Sequence, residues 1–286
     1  MNATVFEVRR FRAADGLTLA ADVGGDPSGR GIVLMHGGGQ TRHSWGRAMR
    51  ELVGAGYHVV SLDMRGHGDS DRAADGDYRF DRFIADLREV LRQLPPLPAL
   101  VGASLGGLTG LLTLGESEEP LACGLVLVDV VPKVEREGTG RIHRFMTASP
   151  DGFADLDEAA DAVAAYLPHR PRPRSVEGLR RNLRQGADGR WHWHWDPAFV
   201  SGALRPETHR LVERMRDAAR RLKVPTLLVR GAISDVVSRE AADDFLSLLP
   251  GAEFFDVAGA GHMVAGDDND AFNAAVMDFL RRRVPV

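Results

Sequence analysis

Cysteine occurs once in the 286-residue chain, at Cys123, so no internal disulfide can staple the fold. An excess of charge of either sign is missing as well. Lys and Arg number 36 against 40 Asp and Glu, a formal net charge of −4. That near-balance supplies no electrostatic pull toward nucleic acid, which calls for a basic face. Met1–Phe11 lacks the charged-then-apolar pattern of a leader, and with no disulfide pair the expected location is cytoplasmic. Internal repeats and low-complexity tracts are also absent.

Hydrophobic residues make up 44% and charged residues 27%, an ordinary globular composition with material for a large core. The length suits one large domain carrying an insertion. One uncharged stretch, Leu94–Gly115, is long enough to cross a bilayer. Pro95, Pro96 and Pro98 crowd its start, however, and Gly102, Gly106, Gly107 and Gly110 interrupt it. It reads as a buried strand, a sharp turn and a buried helix, and no membrane association is expected.

Val5-Phe6-Glu7-Val8 and Leu17-Thr18-Leu19-Ala20 alternate with period two around the turn dipeptide Asp15-Gly16, a hairpin signal. Short apolar runs follow at Gly31–Met35, Tyr57–Leu62, Ala99–Ala103, Gly124–Val128, Val224–Val229 and Ala252–Val257. Helical spacing separates most of them, as in Phe80, Phe83, Ile84, Leu87, Val90 and Leu91 and again in Phe272, Ala275, Val276 and Phe279. Strands alternating with helices predict a mostly parallel α/β sheet. The rhythm fails between about Pro132 and Arg220. The expected organisation is therefore a core of residues 1–132 and 219–286, with a cap inserted at 133–218.

Inside the uncharged stretch, Gly102-Ala103-Ser104-Leu105-Gly106 follows a strand and precedes a helix. A serine on such a turn is forced into strained backbone geometry that exposes its hydroxyl, and the helix behind it directs N–H groups toward developing negative charge. Ser104 is the candidate nucleophile. The strand Gly31–Met35 runs into His36-Gly37-Gly38-Gly39, where bare glycines let a substrate carbonyl approach backbone donors. Gly38 N–H and Leu105 N–H are the candidate oxyanion donors, and His36 is expected to brace the loop. Near the C-terminus Ala258-Gly259-Ala260-Gly261-His262-Met263 puts a histidine in a glycine-rich loop after the last strand. An imidazole there can take a serine proton and return it near neutral pH. Two carboxylates compete to orient His262: Asp129, which ends the strand Gly124–Val128, and Asp235, which follows the strand Val224–Val229. Either satisfies the chain order Ser, Asp, His.

With these residues in place the chain resembles the α/β-hydrolase superfamily, in particular its cofactor-independent serine esterase, lactonase and perhydrolase-like branch. The resemblance rests on His36-Gly37-Gly38-Gly39, Asp63-Met64-Arg65-Gly66-His67-Gly68-Asp69-Ser70, Gly102–Gly107 and Gly259-Ala260-Gly261-His262, in the family's order. It implies the α/β-hydrolase fold, a mostly parallel eight-stranded sheet flanked by helices with an inserted helical cap. The Asp63–Ser70 element looks like a structural loop of that family and takes no catalytic role. The family's usual acid stands three residues beyond a glycine, where this chain has Ser234, with Asp235 one step late. Some members place the acid where this chain has Asp129, which is taken first, with Asp235 as the alternative.

The resemblance further implies acyl transfer on a small-molecule ester or lactone with no metal and no organic cofactor. An aspartate nucleophile, used by members that open epoxides or displace halide, is replaced here by Ser104. C–C bond hydrolysis and cofactor-free haloperoxidase or perhydrolase chemistry remain alternatives that can use the same residues, and a non-catalytic ligand receptor is a further one. In the cap, Trp191-His192-Trp193-His194-Trp195 alternates, so an extended segment would put the three indoles on one face. Trp191, Trp193 and Trp195 either line a pocket for an apolar or aromatic acyl group or fasten the cap to the core. His192 and His194 alone are too few donors for a metal. Arg170, Arg172, Arg174, Arg180, Arg181 and Arg184 read as a solvated face.

Overall fold

A computed structural model describes residues 6–168, 172, 175–203, 209–263 and 270–286. The first two strands, β1 (Glu7–Arg12) and β2 (Thr18–Gly24), pair antiparallel through a turn at which Gly16 takes φ +90°. This is the expected hairpin, with its strands running closer around the turn; Val5 lies outside the described residues. The chain continues with β3 (Gly31–Met35), β4 (His58–Leu62), β5 (Ala99–Ala103) and β6 (Gly124–Val128). A short ribbon of β7 (Leu183–Gln185) and β8 (Trp191–Trp193) comes next, then β9 (Thr226–Gly231) and β10 (Glu253–Val257). Apart from the ribbon, these form one sheet in the order β1-β2-β4-β3-β5-β6-β9-β10, parallel from β4 onward.

Period-two geometry sorts the apolar runs into two cores. Leu34, Val101, Val126 and Leu227 lie side by side across four strands and enter one cluster with Trp45 and Phe279. One position earlier, Val33, Leu100 and Leu125 align and enter the other cluster with Leu111 and Phe245. Helices α1 (Gly46–Gly54), α2 (Phe80–Arg92) and α3 (Leu105–Gly115) belong to these layers. The stretch Leu94–Gly115 is thus β5, a turn and the buried helix α3, and no helix among the described residues is long and apolar enough to cross a membrane.

Between β6 and β9 run α4 (Arg136–Thr147), α5 (Leu156–Tyr166), the β7–β8 ribbon, α6 (Pro197–Ala203) and α7 (His209–Arg221). Residue 218 falls inside α7, which packs against α3 so closely that a Cβ on Gly115 would lie 2.3 Å from the Ala218 carbonyl oxygen. Helices α8 (Arg239–Leu248) and α9 (Asp270–Arg283) complete the chain.

Candidate active site

Ser104 sits between β5 and α3 at φ +44°, ψ −111°, a conformation that L-residues avoid unless their surroundings impose it. Its N–H donates to Val128 O at 3.1 Å, and the N–H of Gly106 donates to His36 O at 3.2 Å, which ties the turn to the strands on both sides. A Cβ on Gly106 would lie 2.5 Å from the Met35 carbonyl oxygen, and one on Gly102 would lie 2.5 Å from the Gly106 backbone. Only glycines allow the helix to start this close to the sheet.

The glycine loop after β3 reaches the same point, since a Cβ on Gly37 would come 3.4 Å from Ser104 Cβ. Its carbonyls and N–H groups are held one by one. His36 Nδ1–H donates to Gly37 O at 2.8 Å, Gln40 N–H donates to the same oxygen at 3.1 Å, and His36 Nε2 accepts Met64 N–H at 3.0 Å. The N–H of Gly37 goes to Gln40 Oε1 at 2.9 Å and that of Gly39 to His67 Nε2 at 3.1 Å. Because a trans peptide is planar, fixing the Gly37 carbonyl also fixes the opposite direction of Gly38 N–H. His36 therefore braces the loop as expected.

His67 and His194 were not legible as site residues. His67 Nδ1–H donates to Arg65 O at 2.9 Å, and His194 accepts Gly68 N–H at Nδ1 (2.8 Å) while donating Nε2–H to Gly39 O (3.2 Å). Burial pushes His36 down to about 4 and His67 to about 3, and holds His194 well below the usual histidine value. All three are neutral struts. In the Asp63–Ser70 loop, Asp63 is buried against Arg42, and Ser70 Oγ–H donates to Asp63 O at 2.6 Å.

His262 Nδ1–H donates to Asp129 Oδ2 at 2.7 Å, which leaves Nε2 as the basic nitrogen. Asp129 is fully buried and takes φ +47°, a left-handed geometry that aspartate tolerates better than most residues. Its carboxylate also accepts Gly231 N–H at Oδ1 (2.9 Å) and Ser234 Oγ–H at Oδ2 (2.6 Å). Asp235 is half exposed and pairs instead with Arg141 of α4 at 2.9 Å. Of the two carboxylates, Asp129 is the one beside His262. Ser234 was noted in the sequence only as the residue standing where an acid was expected, and its contact with Asp129 was not foreseen.

Ser104, Leu105, Gly38 and His262 share the wall of a cavity of about 1550 Å³. Phe145 and Met146 of α4, Trp195 and Phe199, all from the segment between β6 and β9, line it as well. Of the three tryptophans only Trp195 lines it. Trp193 is stacked behind Trp195, ring centres 4.8 Å apart, and wedged against Phe153, while Trp191 lies outside beneath the Arg180 guanidinium. The two histidines of that run part company: His192 pairs with Asp188 at 2.9 Å, and both nitrogens of His194 are engaged as described. Among the described residues, no group of three or more His, Cys, Asp or Glu is placed to hold a metal ion. Arg172, Arg180 and Arg184 are exposed and paired with acids of the surface, whereas Arg170 and Arg174 lie outside the described residues.

An esterase of Mycobacterium tuberculosis is 30% identical over 298 residues, covering 99% of this chain and 92% of the relative; one of its crystal structures superposes with a TM-score of 0.76 over 98% of this chain and 93% of that one. A 2-hydroxy-6-oxo-6-(2′-aminophenyl)hexa-2,4-dienoic acid hydrolase of Metapseudomonas resinovorans is 26% identical, covering 98% of this chain and 93% of its own. An E-2-(acetamidomethylene)succinate hydrolase shares the fold, with a TM-score of 0.83 at 23% identity over 96% of this chain and 99% of that one. The model of the alpha/beta hydrolase family matches residues 32–275, from the strand before the glycine loop to the last helix. The chain belongs to the α/β hydrolase family.

Proposed function

We propose that this hydrolase cleaves a small-molecule ester or lactone through an acyl-enzyme on Ser104. The Ser104 hydroxyl attacks the carbonyl carbon while His262 Nε2 takes its proton, and Asp129 holds Nδ1–H and stabilises the imidazolium that forms. The N–H groups of Gly38 and Leu105 receive the negative charge that develops on the carbonyl oxygen. His262 then hands its proton to the departing alkoxide, and a water activated by the same imidazole releases the acid. None of these steps calls for a metal or an organic cofactor.

The observation that carries this reading is the 2.7 Å bond from His262 Nδ1 to Asp129 Oδ2 in the wall of the cavity that also exposes Ser104. The grip of His36 and Gln40 on the Gly37 carbonyl supports Gly38 as an oxyanion donor. Trp195, Phe145 and Phe199 favour an apolar or aromatic acyl group. We assign residues 133–218 to the cap and residues 1–132 and 219–286 to the core, with α7 joining the two. Cytoplasmic residence belongs to the same reading, because a single cysteine leaves the fold without disulfides.

Turnover of p-nitrophenyl esters tests the assignment. Ser104→Ala is expected to lower kcat about 10⁴-fold or more with an unchanged melting temperature; undiminished turnover in that variant overturns it. A second reading, C–C bond hydrolysis, is favoured by the dienoic acid hydrolase relative. A substrate panel of esters, lactones and diketones separates the two by kcat/KM.

A further inference from the structure

The Asp129 carboxylate is shared. Two donors converge on one oxygen: Ser234 Oγ–H at 2.6 Å and His262 Nδ1–H at 2.7 Å both address Oδ2, while Gly231 N–H serves Oδ1. The Ser234 hydroxyl has no freedom to point elsewhere. Its oxygen accepts the N–H groups of Val236 and Val237, each at 3.2 Å, and with both lone pairs occupied its single proton is left for Asp129.

A hydrogen bond to an ionised carboxylate draws charge from the oxygen that accepts it and lowers its proton affinity. Charge given to Ser234 is charge withheld from His262. We propose that Ser234 is a positioning residue of the active site: by sharing Oδ2 of Asp129 with His262, its hydroxyl sets the pH at which His262 becomes a base toward Ser104. The proposal rests on the catalytic roles given above. It concerns a position three residues beyond Gly231 on the loop after β9, where a hydroxyl now supports the carboxylate supplied by β6.

Among the described residues, the other charges named next to this cluster are compensated or exposed. Asp235 is paired with Arg141 of α4, and Arg230 of β9 with Asp256 of β10 at 2.9 Å. Lys133 and Glu135, on the segment after β6, are exposed, and β6 and α3 carry no charged residue. Substituting Ser234 leaves all of these in place. Without the hydroxyl, Oδ2 bonds His262 alone, more negative charge faces the imidazole, and the protonated ring persists to higher pH.

The test is the rate of Ser104 labelling by a fluorophosphonate between pH 5 and 9, which needs no knowledge of the natural substrate. In Ser234→Ala the inflection that reports His262 is expected to move up by about half a pH unit, slowing labelling at acid pH about threefold. Ser234→Thr, which keeps the hydroxyl, should return the inflection to the wild-type position. A purely structural role for Ser234 would lower the rate equally at every pH. Should the alanine variant fail to fold, Ser234→Cys carries the test, its weaker donor giving a smaller shift of the same sign. Labelled wild type with an unmoved inflection in Ser234→Ala, or in Ser234→Cys where that variant carries the test, overturns the proposal. Wild type that is not labelled at Ser104 at any pH overturns the catalytic reading itself.

Discussion

His194 donates its Nε2–H to the carbonyl of Gly39 across 155 positions of chain, and its Nδ1 accepts the N–H of Gly68. One imidazole thus joins the segment between β6 and β9, the glycine loop beside Ser104 and the Asp63–Ser70 loop. Gly39 is gripped on its other side by His67. Each ring, like His36, serves only when neutral, because protonation turns the accepting nitrogen into a donor facing an N–H.

Acid should therefore loosen the fold before it titrates most carboxylates. Burial holds His36 at about 4, His67 at about 3 and His194 well below 6.5, whereas in the unfolded chain all three titrate near 6.5. The unfolded chain then binds protons that the folded one refuses, so stability is complete above that value and falls as pH drops toward 4. Each ring adds a slope of about 1.4 kcal/mol per pH unit in this window. Melting curves should show Tm falling steadily from pH 7 to 5, and His194→Gln should melt lower at pH 7 but lose less on acidification. Equal Tm at both pH values would contradict the account.

The two carboxylates weighed from the sequence give opposite expectations. Asp129→Asn removes the acceptor that fixes the His262 tautomer, and ester turnover should fall about 10³–10⁴-fold. Asp235→Asn breaks only a half-exposed pair with Arg141 and should cost less than about 1 kcal/mol of stability, with kcat nearly unchanged. Steady-state kinetics on both variants decide the matter; a comparable loss in Asp235→Asn would refute the assignment.

Three tryptophans in one short run should behave in three ways. Trp195→Ala opens the cavity wall and is expected to raise KM for aryl esters about tenfold, the loss of one good aromatic contact. Trp193→Ala empties the space between Trp195 and Phe153 and should cost about 3–5 kcal/mol of stability. Trp191→Ala, which removes a partner of Arg180, should do little to either. Urea melts and KM measured on the same variants separate the roles; equal effects at all three positions would count against this division.

Period and spacing carried the sheet a long way. β3, β5 and β6 begin and end where the apolar runs do, because strands buried on both faces read as continuous hydrophobic stretches. The strained turn at Ser104 was legible because such a turn demands small neighbours, and Gly102 and Gly106 have no room for a Cβ. Three things were not. The choice of Asp129 over Asp235 rested on the resemblance and on no local pattern, because the pairing joins a strand-end carboxylate to a loop 133 residues away. Trp191–Trp195 has the alternation of an extended strand, yet β8 stops at Trp193 and the stacking of Trp193 on Trp195 sends one indole to the cavity and leaves another behind it. His67 and His194 reach the site through backbone groups of distant loops and through ring contacts with Phe199 and Trp195, and a histidine in sequence gives no sign of which carbonyl it will meet.

Identification of the residue that a fluorophosphonate modifies tests the central claim most directly. Peptide mapping by mass spectrometry after labelling should place the adduct on Ser104 in wild type, with labelling nearly abolished in His262→Ala and about 10³-fold slower or more in Asp129→Asn. An unmodified Ser104, or labelling that proceeds equally well without His262, would contradict the account.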